Sequence, residues 1–163
     1  MNVIGIVGWK NSGKTTLAAA LIRELSNRGL TVSSIKHAHH MVDVDQPGTD
    51  SYKHRDAGAR EVILAGGQRF AIMHELRGAE EPTLDELLAR LGPCDWVVVE
   101  GFKTRPHPKI EVHRRESSRT PLYKEDASII AVAADYAAEF SGPVFDLNDV
   151  AAIADFILSR DLS

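Results

Sequence analysis

One short stretch constrains this chain more than any other: Gly8-Trp9-Lys10-Asn11-Ser12-Gly13-Lys14-Thr15. An apolar, strand-like run (Val3-Ile4-Gly5-Ile6-Val7) precedes it, and a helix-like run beginning at Thr16-Leu17 follows. A G-x-x-x-x-G-K-[ST] pattern in that setting is a phosphate-binding loop. Gly8 and Gly13 let the backbone curl so that successive N–H groups, including those around Ser12, face inward; the following helix adds the positive end of its dipole. Lys14 is then placed to reach β- and γ-phosphates, and the Thr15 hydroxyl to ligate Mg²⁺.

The remaining chain alternates strand-like and helix-like segments. Leu17, Ala18, Leu21, Ile22 and Leu25 recur at helical spacing, which predicts a helix from about Lys14 to Arg28 closed by Gly29. Thr31–Ile35 is a strand, so the first unit is a right-handed βαβ crossover between parallel strands. A polar loop, Lys36 to Thr49, holds three of the seven histidines. A short helix is expected at Asp50–Ala57, and a hairpin at Glu61–Ala65 and Arg69–His74 around Gly66-Gly67. Thr83-Leu84-Asp85-Glu86 is a capping box. Asp95–Gly101 contains an unbroken apolar run ending in a carboxylate, the pattern of a buried parallel strand whose tip enters a site. Lys109–His113 alternates like a half-exposed strand, Ser128–Ala133 is another buried one, Val144-Phe145 is short, and Asn148 is expected to cap a final helix. The expected fold is α/β: a three-layer P-loop NTPase sandwich with a mostly parallel sheet and an inserted β-hairpin. A length of 163 residues fits a single domain spanning 1–163.

Strand polarity selects the second acid of the site. Asp95 precedes its strand and belongs at the far edge of the sheet, whereas Glu100 follows it and belongs at the phosphate-loop edge, near Mg²⁺. Gly101 is placed to offer its N–H to a γ-phosphate. Lys103, within the stiff, basic Gly101–Lys109 loop, faces an anion at the same edge. The imidazoles and carboxylates of the Lys36–Asp45 loop suggest transition-metal binding but show no compact tetrahedral ligand set at standard spacing; the other readings are a switch-like or substrate-facing loop, with Asp45 a candidate water or Mg²⁺ contact, and a solvated polar loop.

Composition narrows the partners. The net charge of −4 argues against a general nucleic-acid binder. Glu100–Arg119 nevertheless carries six Lys/Arg against three acids, a pattern suited to a small anionic ligand. A single cysteine, Cys94, excludes an internal disulfide and any multi-cysteine metal site. No secretory pattern is present and no apolar run approaches the ~20 residues needed to span a bilayer, so a cytoplasmic protein without membrane contact is expected.

Taken together, several motifs resemble the molybdopterin-guanine dinucleotide biosynthesis adapter family. They are G-x-x-N-S-G-K-T-T at Gly8–Thr16, K-H-x-H-H at Lys36–His40, D-x-x-G-x-D-S at Asp45–Ser51 and H-R-x-A-G-A at His54–Ala59. E-G-F-K at Glu100–Lys103 and P-V-F-D-L-N-D at Pro143–Asp149 complete the set. The resemblance implies a GTP- and Mg²⁺-binding protein, usually a homodimer, with weak GTPase activity. Its implied role is to assist the guanylyltransferase that joins GMP to molybdopterin. It also implies that Asn11, Gly13, Lys14, Thr15 and Thr16 form the nucleotide site with Glu100 as the strand-end acid. The histidine loop and Lys103 would face the pterin pyrophosphate or a partner. Related dimeric NTPases often carry an extra lysine directly after the first loop glycine that reaches into the partner's site; here Trp9 holds that place and Lys10 follows, which leaves open whether Lys10 acts in cis, in trans or not at all. The N-K-x-D guanine motif is missing, and Asp135, after a late buried strand, is the candidate that accepts from guanine N1 and N2. The competing readings are a P-loop kinase or ATP-dependent ligase acting on a small metabolite, and a non-catalytic module that uses nucleotide as a conformational cue.

Overall fold

Apolar runs joined by helical crossovers must lie side by side and run the same way, because each crossover returns the chain to the edge it left. The structure, a computed structural model, describes residues 1–38, 43–160 and 162. Its elements in chain order are β1 (Asn2–Val7), α1 (Lys14–Asn27), β2 (Val32–Lys36), α2 (Asp50–Asp56), β3 (Glu61–Ala65) and β4 (Phe70–His74). They continue with α3 (Leu84–Leu88), β5 (Trp96–Glu100), β6 (Lys109–His113), a single 3-10 turn (Leu122–Lys124), β7 (Ile129–Ala134), β8 (Val144–Asp146) and α4 (Val150–Leu158). Two compact units result, Met1–His37 with Leu84–Ser163, and Ala38–Thr83.

The larger unit is a six-stranded sheet in the order β2-β5-β1-β6-β7-β8, parallel at every pairing. Leu17, Ala18, Leu21 and Leu25 of α1 and Ile153, Ala154 and Ile157 of α4 pack on one face, against Ile4, Ile6, Trp96, Val98, Ile110 and Val112. On the other face, Leu84 of α3 joins Val97, Val99 and Phe102, while Leu122 and Tyr123 of the 3-10 turn cover Val7 and Val132. These are the three layers expected of an α/β sandwich. Asp149, rather than Asn148, caps α4: its carboxylate accepts the Ala152 N–H at 3.1 Å.

β6 departs from the half-exposed strand its alternation predicts, for all five of its residues are buried. The polar side chains Lys109, Glu111 and His113 are covered and satisfied from within. Lys109 Nζ donates to Asp126 Oδ2 at 2.9 Å. The Glu111 carboxylate accepts the N–H groups of Leu122 and Tyr123, both at 2.8 Å, and so anchors the 3-10 turn. His113 bonds the Arg119 carbonyl through Nε2 and the Tyr136 hydroxyl through Nδ1. Period-two alternation cannot distinguish water on the polar face from a layer of polar partners supplied by later segments.

In the smaller unit β3 and β4 form an antiparallel pair with Ile63 opposite Ile72 and Ala65 opposite Phe70. Ile63, Phe70 and Ile72, which alternation puts on one face, are all exposed.

Gly5, midway along β1, is where the chain ahead of β6 closes over the sheet. Its N–H donates to the Pro108 carbonyl at 2.8 Å, and a Cβ there would stand 2.5 Å from His107 Nε2. His107 is buried with neither ring nitrogen hydrogen-bonded. Burial, reinforced by the Lys109 charge, pushes it from 6.5 down to about 4. Between those values an unfolded chain takes up a proton that the folded chain refuses, so His107 costs stability as pH falls through that window and adds no further loss below it. Thermal melts should therefore show wild type losing more stability than His107→Gln between pH 6.5 and about 4; parallel curves would mean that His107 is not held neutral.

Candidate functional site

The phosphate loop owes its shape to backbone that few residues tolerate. Gly8 has φ +147°, and a Cβ there would lie 2.4 Å from the Val112 carbonyl oxygen of β6. Asn11 (φ 65°) and Gly13 (φ 103°) are also left-handed. Gly13 is the N-cap of α1, and no side chain caps that end and no acid occupies its first turn. An uncapped N-terminus leaves amides and a positive dipole end facing whatever anion arrives. Thr16 is exposed on that first turn, and Lys14 Nζ donates to the Trp9 carbonyl at 2.7 Å. Burial, and then the neighbouring charge of Lys103, lower the Lys14 ammonium below its ordinary value.

The register of the sheet brings Glu100 to the same edge. It pairs with Ile6 of β1 on one side and Lys36 of β2 on the other. Thr15 Oγ1 donates to Glu100 Oε1 at 2.7 Å. A hydroxyl beside a carboxylate is a hard-oxygen donor pair of the kind Mg²⁺ takes. Lys36 Nζ completes the group, 3.3 Å from Thr15 Oγ1 and 3.4 Å from Glu100 Oε2. A positive charge already sits between these oxygens, so the donor set fits a cation.

Gly101 and Phe102 turn the chain back over the sheet with φ of 103° and 51°. Phe102 is locked into the core and its ring lies 4.6 Å from that of His37. The Gly101 N–H, expected to face a phosphate, donates instead to the Ile6 carbonyl at 3.3 Å. Lys103 Nζ lies 4.5 Å from the centre of the Trp9 ring, the Arg119 guanidinium lies 5.3 Å from it, and the Trp9 indole N–H donates to the Thr120 carbonyl. Lys10 is exposed and lines a cleft of ≈ 430 Å³ with Trp9, Asn11, Ser12, Arg114 and Arg119.

Asp135 stands at the C-terminal end of β7, where its Oδ1 accepts the Arg115 N–H at 2.8 Å and its Oδ2 lies 3.6 Å from Arg114 Nη1. Arg114 also donates through Nε to the Ser12 carbonyl at 3.1 Å. It therefore ties the phosphate loop to the end of β7, a connection that motif spacing did not reveal. Lys36, too, was visible only as the first residue of a polar loop. Counting one residue further along β2 would have put it at the strand tip beside Glu100.

Asp45 belongs to the smaller unit, where its side chain is 6% exposed. Its Oδ1 accepts from Thr49 Oγ1, Ser51 Oγ and the Gln46 N–H, and Oδ2 lies 3.4 Å from Arg55 Nε. Burial alone would raise this carboxyl, but the hydrogen bonds and Arg55 hold it below the ordinary carboxylate range. Arg55 also bonds Asp43 and Glu75. Asp45 thus holds its own loop together, in place of the water or Mg²⁺ contact expected of it. His39 and His40 lie outside the described residues, and among the described residues no cluster of three His, Cys, Asp or Glu could hold a metal.

Comparison with known proteins decides the family. Residues 3–135 match the family model described as Molybdopterin guanine dinucleotide synthesis protein B. The chain belongs to that family. Curated relatives named molybdopterin-guanine dinucleotide biosynthesis adapter protein include one from Haemophilus influenzae, 44% identical over 95% of this chain and 86% of the relative. Another, from Escherichia coli, is 40% identical over 96% and 91%. A crystal structure of a molybdopterin-guanine biosynthesis protein B is 28% identical, covers 96% of this chain and 98% of its own, and superposes with a TM-score of 0.75. The α/β sandwich described above is thus the fold of this family.

Arg114→Ala should release the Ser12 carbonyl. Amide hydrogen exchange over residues 8–13 is expected to quicken by roughly fivefold, the scale of one hydrogen bond worth about 1 kcal/mol. Unchanged exchange there would show that Arg114 does not brace the loop.

Proposed function

We propose that this chain binds GTP with Mg²⁺ at the Gly8–Thr16 loop, hydrolyses it slowly, and serves as the accessory to a molybdopterin guanylyltransferase. The observation that carries the reading is the Thr15–Glu100 hydrogen bond, which joins the helix start to a strand-end carboxylate beside an uncapped anion site. In the bound state, Lys14 leaves the Trp9 carbonyl for the β- and γ-phosphates, while the amides of Gly13, Lys14, Thr15 and Thr16 receive phosphate oxygens. Gly8, Asn11 and Ser12 hold the curve of the loop that aims those amides. Thr15 and Glu100 would hold Mg²⁺, which neutralises charge on the phosphates. Lys103 borders the γ-phosphate side, and Lys10 stands in the adjoining cleft. Asp135, held by Arg114 and Arg115, is the candidate for reading guanine.

The named role of the relatives, adapters in molybdopterin-guanine dinucleotide biosynthesis, supports assistance to GMP attachment over an independent chemistry. Molybdopterin or the molybdenum cofactor and the guanylyltransferase are then its partners. None of the described helices is long and apolar enough to cross a membrane, and a cytoplasmic location fits such a partner set. A second copy of the chain is the occupant proposed for the apolar face of the β3–β4 hairpin. A lone two-stranded sheet is marginal in water, and one with Ile63, Phe70 and Ile72 exposed gains most by burying them.

Calorimetry with GTP and with ATP, each with and without Mg²⁺, tests the nucleotide reading. The expected result is Mg²⁺-enhanced GTP binding with slow phosphate release; preference for ATP, with transfer to a metabolite, would overturn it. Light scattering tests the dimer. Ile72→Lys should shift a dimeric wild type to monomer, and a wild type that is already monomeric would remove the hairpin interface.

A further inference from the structure

Lys36 is the charged residue at this edge that the reading above leaves without a task. Its position is fixed by the sheet, since β2 and β5 are parallel and Lys36 is registered directly against Glu100. The ladder continues past it, with the His37 N–H donating to the Glu100 carbonyl at 2.8 Å. From that anchor the side chain extends only as far as the Thr15 hydroxyl and the Glu100 carboxylate. The three groups close a triangle: Thr15 donates to Glu100 Oε1 at 2.7 Å, and the ammonium lies 3.3 Å from the hydroxyl and 3.4 Å from Oε2.

We infer that Lys36 is an internal placeholder for the metal: its ammonium occupies the cation position between Thr15 and Glu100 until a metal–triphosphate complex displaces it. The inference rests on the proposed Mg²⁺–nucleotide site and adds a rule for how that site is filled. Lys14 feels the like charges of Lys103 and Lys36 against the opposite charge of Glu100. A bare divalent cation entering this edge meets a net positive field and must also expel Lys36 from its two oxygen partners. A metal that arrives on a triphosphate brings the opposite balance. Its phosphates neutralise Lys14 and Lys103 and offer the displaced Lys36, which is 58% exposed and carries a flexible four-carbon stem, a new anionic partner. Metal and nucleotide therefore enter together, and the protein does not collect free metal at Glu100 between turnovers. Reciprocity requires the same coupling in reverse: whatever keeps the bare metal out makes nucleotide raise metal affinity.

Mn²⁺ binding followed by electron paramagnetic resonance, with and without GTP, tests this without relying on turnover. Wild type should bind Mn²⁺ weakly alone and more tightly with GTP. Lys36→Met and Lys36→Gln should each bind nucleotide-free Mn²⁺ more tightly than wild type, by roughly fivefold on the scale of one exposed ion pair, and should show a smaller gain from GTP. Lys36→Arg, which keeps the charge, should resemble wild type, and adding Glu100→Gln to Lys36→Met should abolish the gain. Thermal melts of each variant confirm that it is folded. If Lys36→Met and Lys36→Gln bind nucleotide-free Mn²⁺ no more tightly than wild type, while GTP-dependent Mn²⁺ binding still requires Glu100, the placeholder role is overturned and the site reading stands. If Mn²⁺ bound with GTP does not require Glu100, the site reading falls and this inference falls with it.

Discussion

The site depends on how closely β6 and the segment before it approach β1. Gly5 of β1 and Gly8 of its loop carry no side chain, and the space at both is filled from that direction. His107 occupies the space above Gly5, and the Val112 carbonyl crowds Gly8 to within 2.4 Å of where a Cβ would be. Because β6 lies this near, Arg114 at its end can reach the Ser12 carbonyl. The phosphate loop is thus held from one side by its own glycines and from the other by a strand that begins about a hundred residues later. Interiors packed to native density leave little slack for such contacts, so side chains far from any phosphate help to set its cradle.

The parallel sheet, the order of helices and strands, and the position of Glu100, rather than Asp95, at the phosphate-loop edge were all legible in the sequence. Each follows from a local pattern or from strand direction. Asp95 illustrates the far-edge role: it accepts the N–H and hydroxyl of Thr31 at 2.7 and 2.6 Å, a purely structural task. What the sequence concealed were partnerships between distant polar groups. β6 alternates as a solvent-facing strand would, yet Asp126, the 3-10 turn and Tyr136 take the place of water on its polar face. Asp45 lies in a polar loop where a water or Mg²⁺ contact is expected, but Thr49, Ser51 and Arg55 claim its carboxylate first. A short polar residue followed closely by hydroxyls satisfies its own loop readily, and spacing alone does not distinguish that from ligation. Lys36 was concealed by a boundary: one residue decides whether a lysine ends a strand or begins a loop, and element ends are the least certain part of any pattern reading.

The electrostatic character of the edge follows from the same geometry. A protein of net charge −4 sets Lys36 against Glu100 and brings the charges of Lys36 and Lys103 to bear on Lys14. Basic residues gathered at one edge of an acidic molecule attract a compact polyanion while offering little to an extended one, because attraction to a polymer requires a charged surface along its length.

Trp9 gives the chain an optical property. Of the two tryptophans, Trp96 is sealed in the core at 3% exposure, in surroundings that a ligand at the loop leaves alone. Trp9 lies inside the phosphate loop, with its carbonyl held by Lys14, its indole N–H by Thr120 and its ring beneath two cations. Any anion that draws Lys14 and Lys103 toward itself changes the field on that indole. The molecule thus carries one constant emitter and one emitter sensitive to occupancy, so the state of the loop can be followed by intrinsic fluorescence without any label.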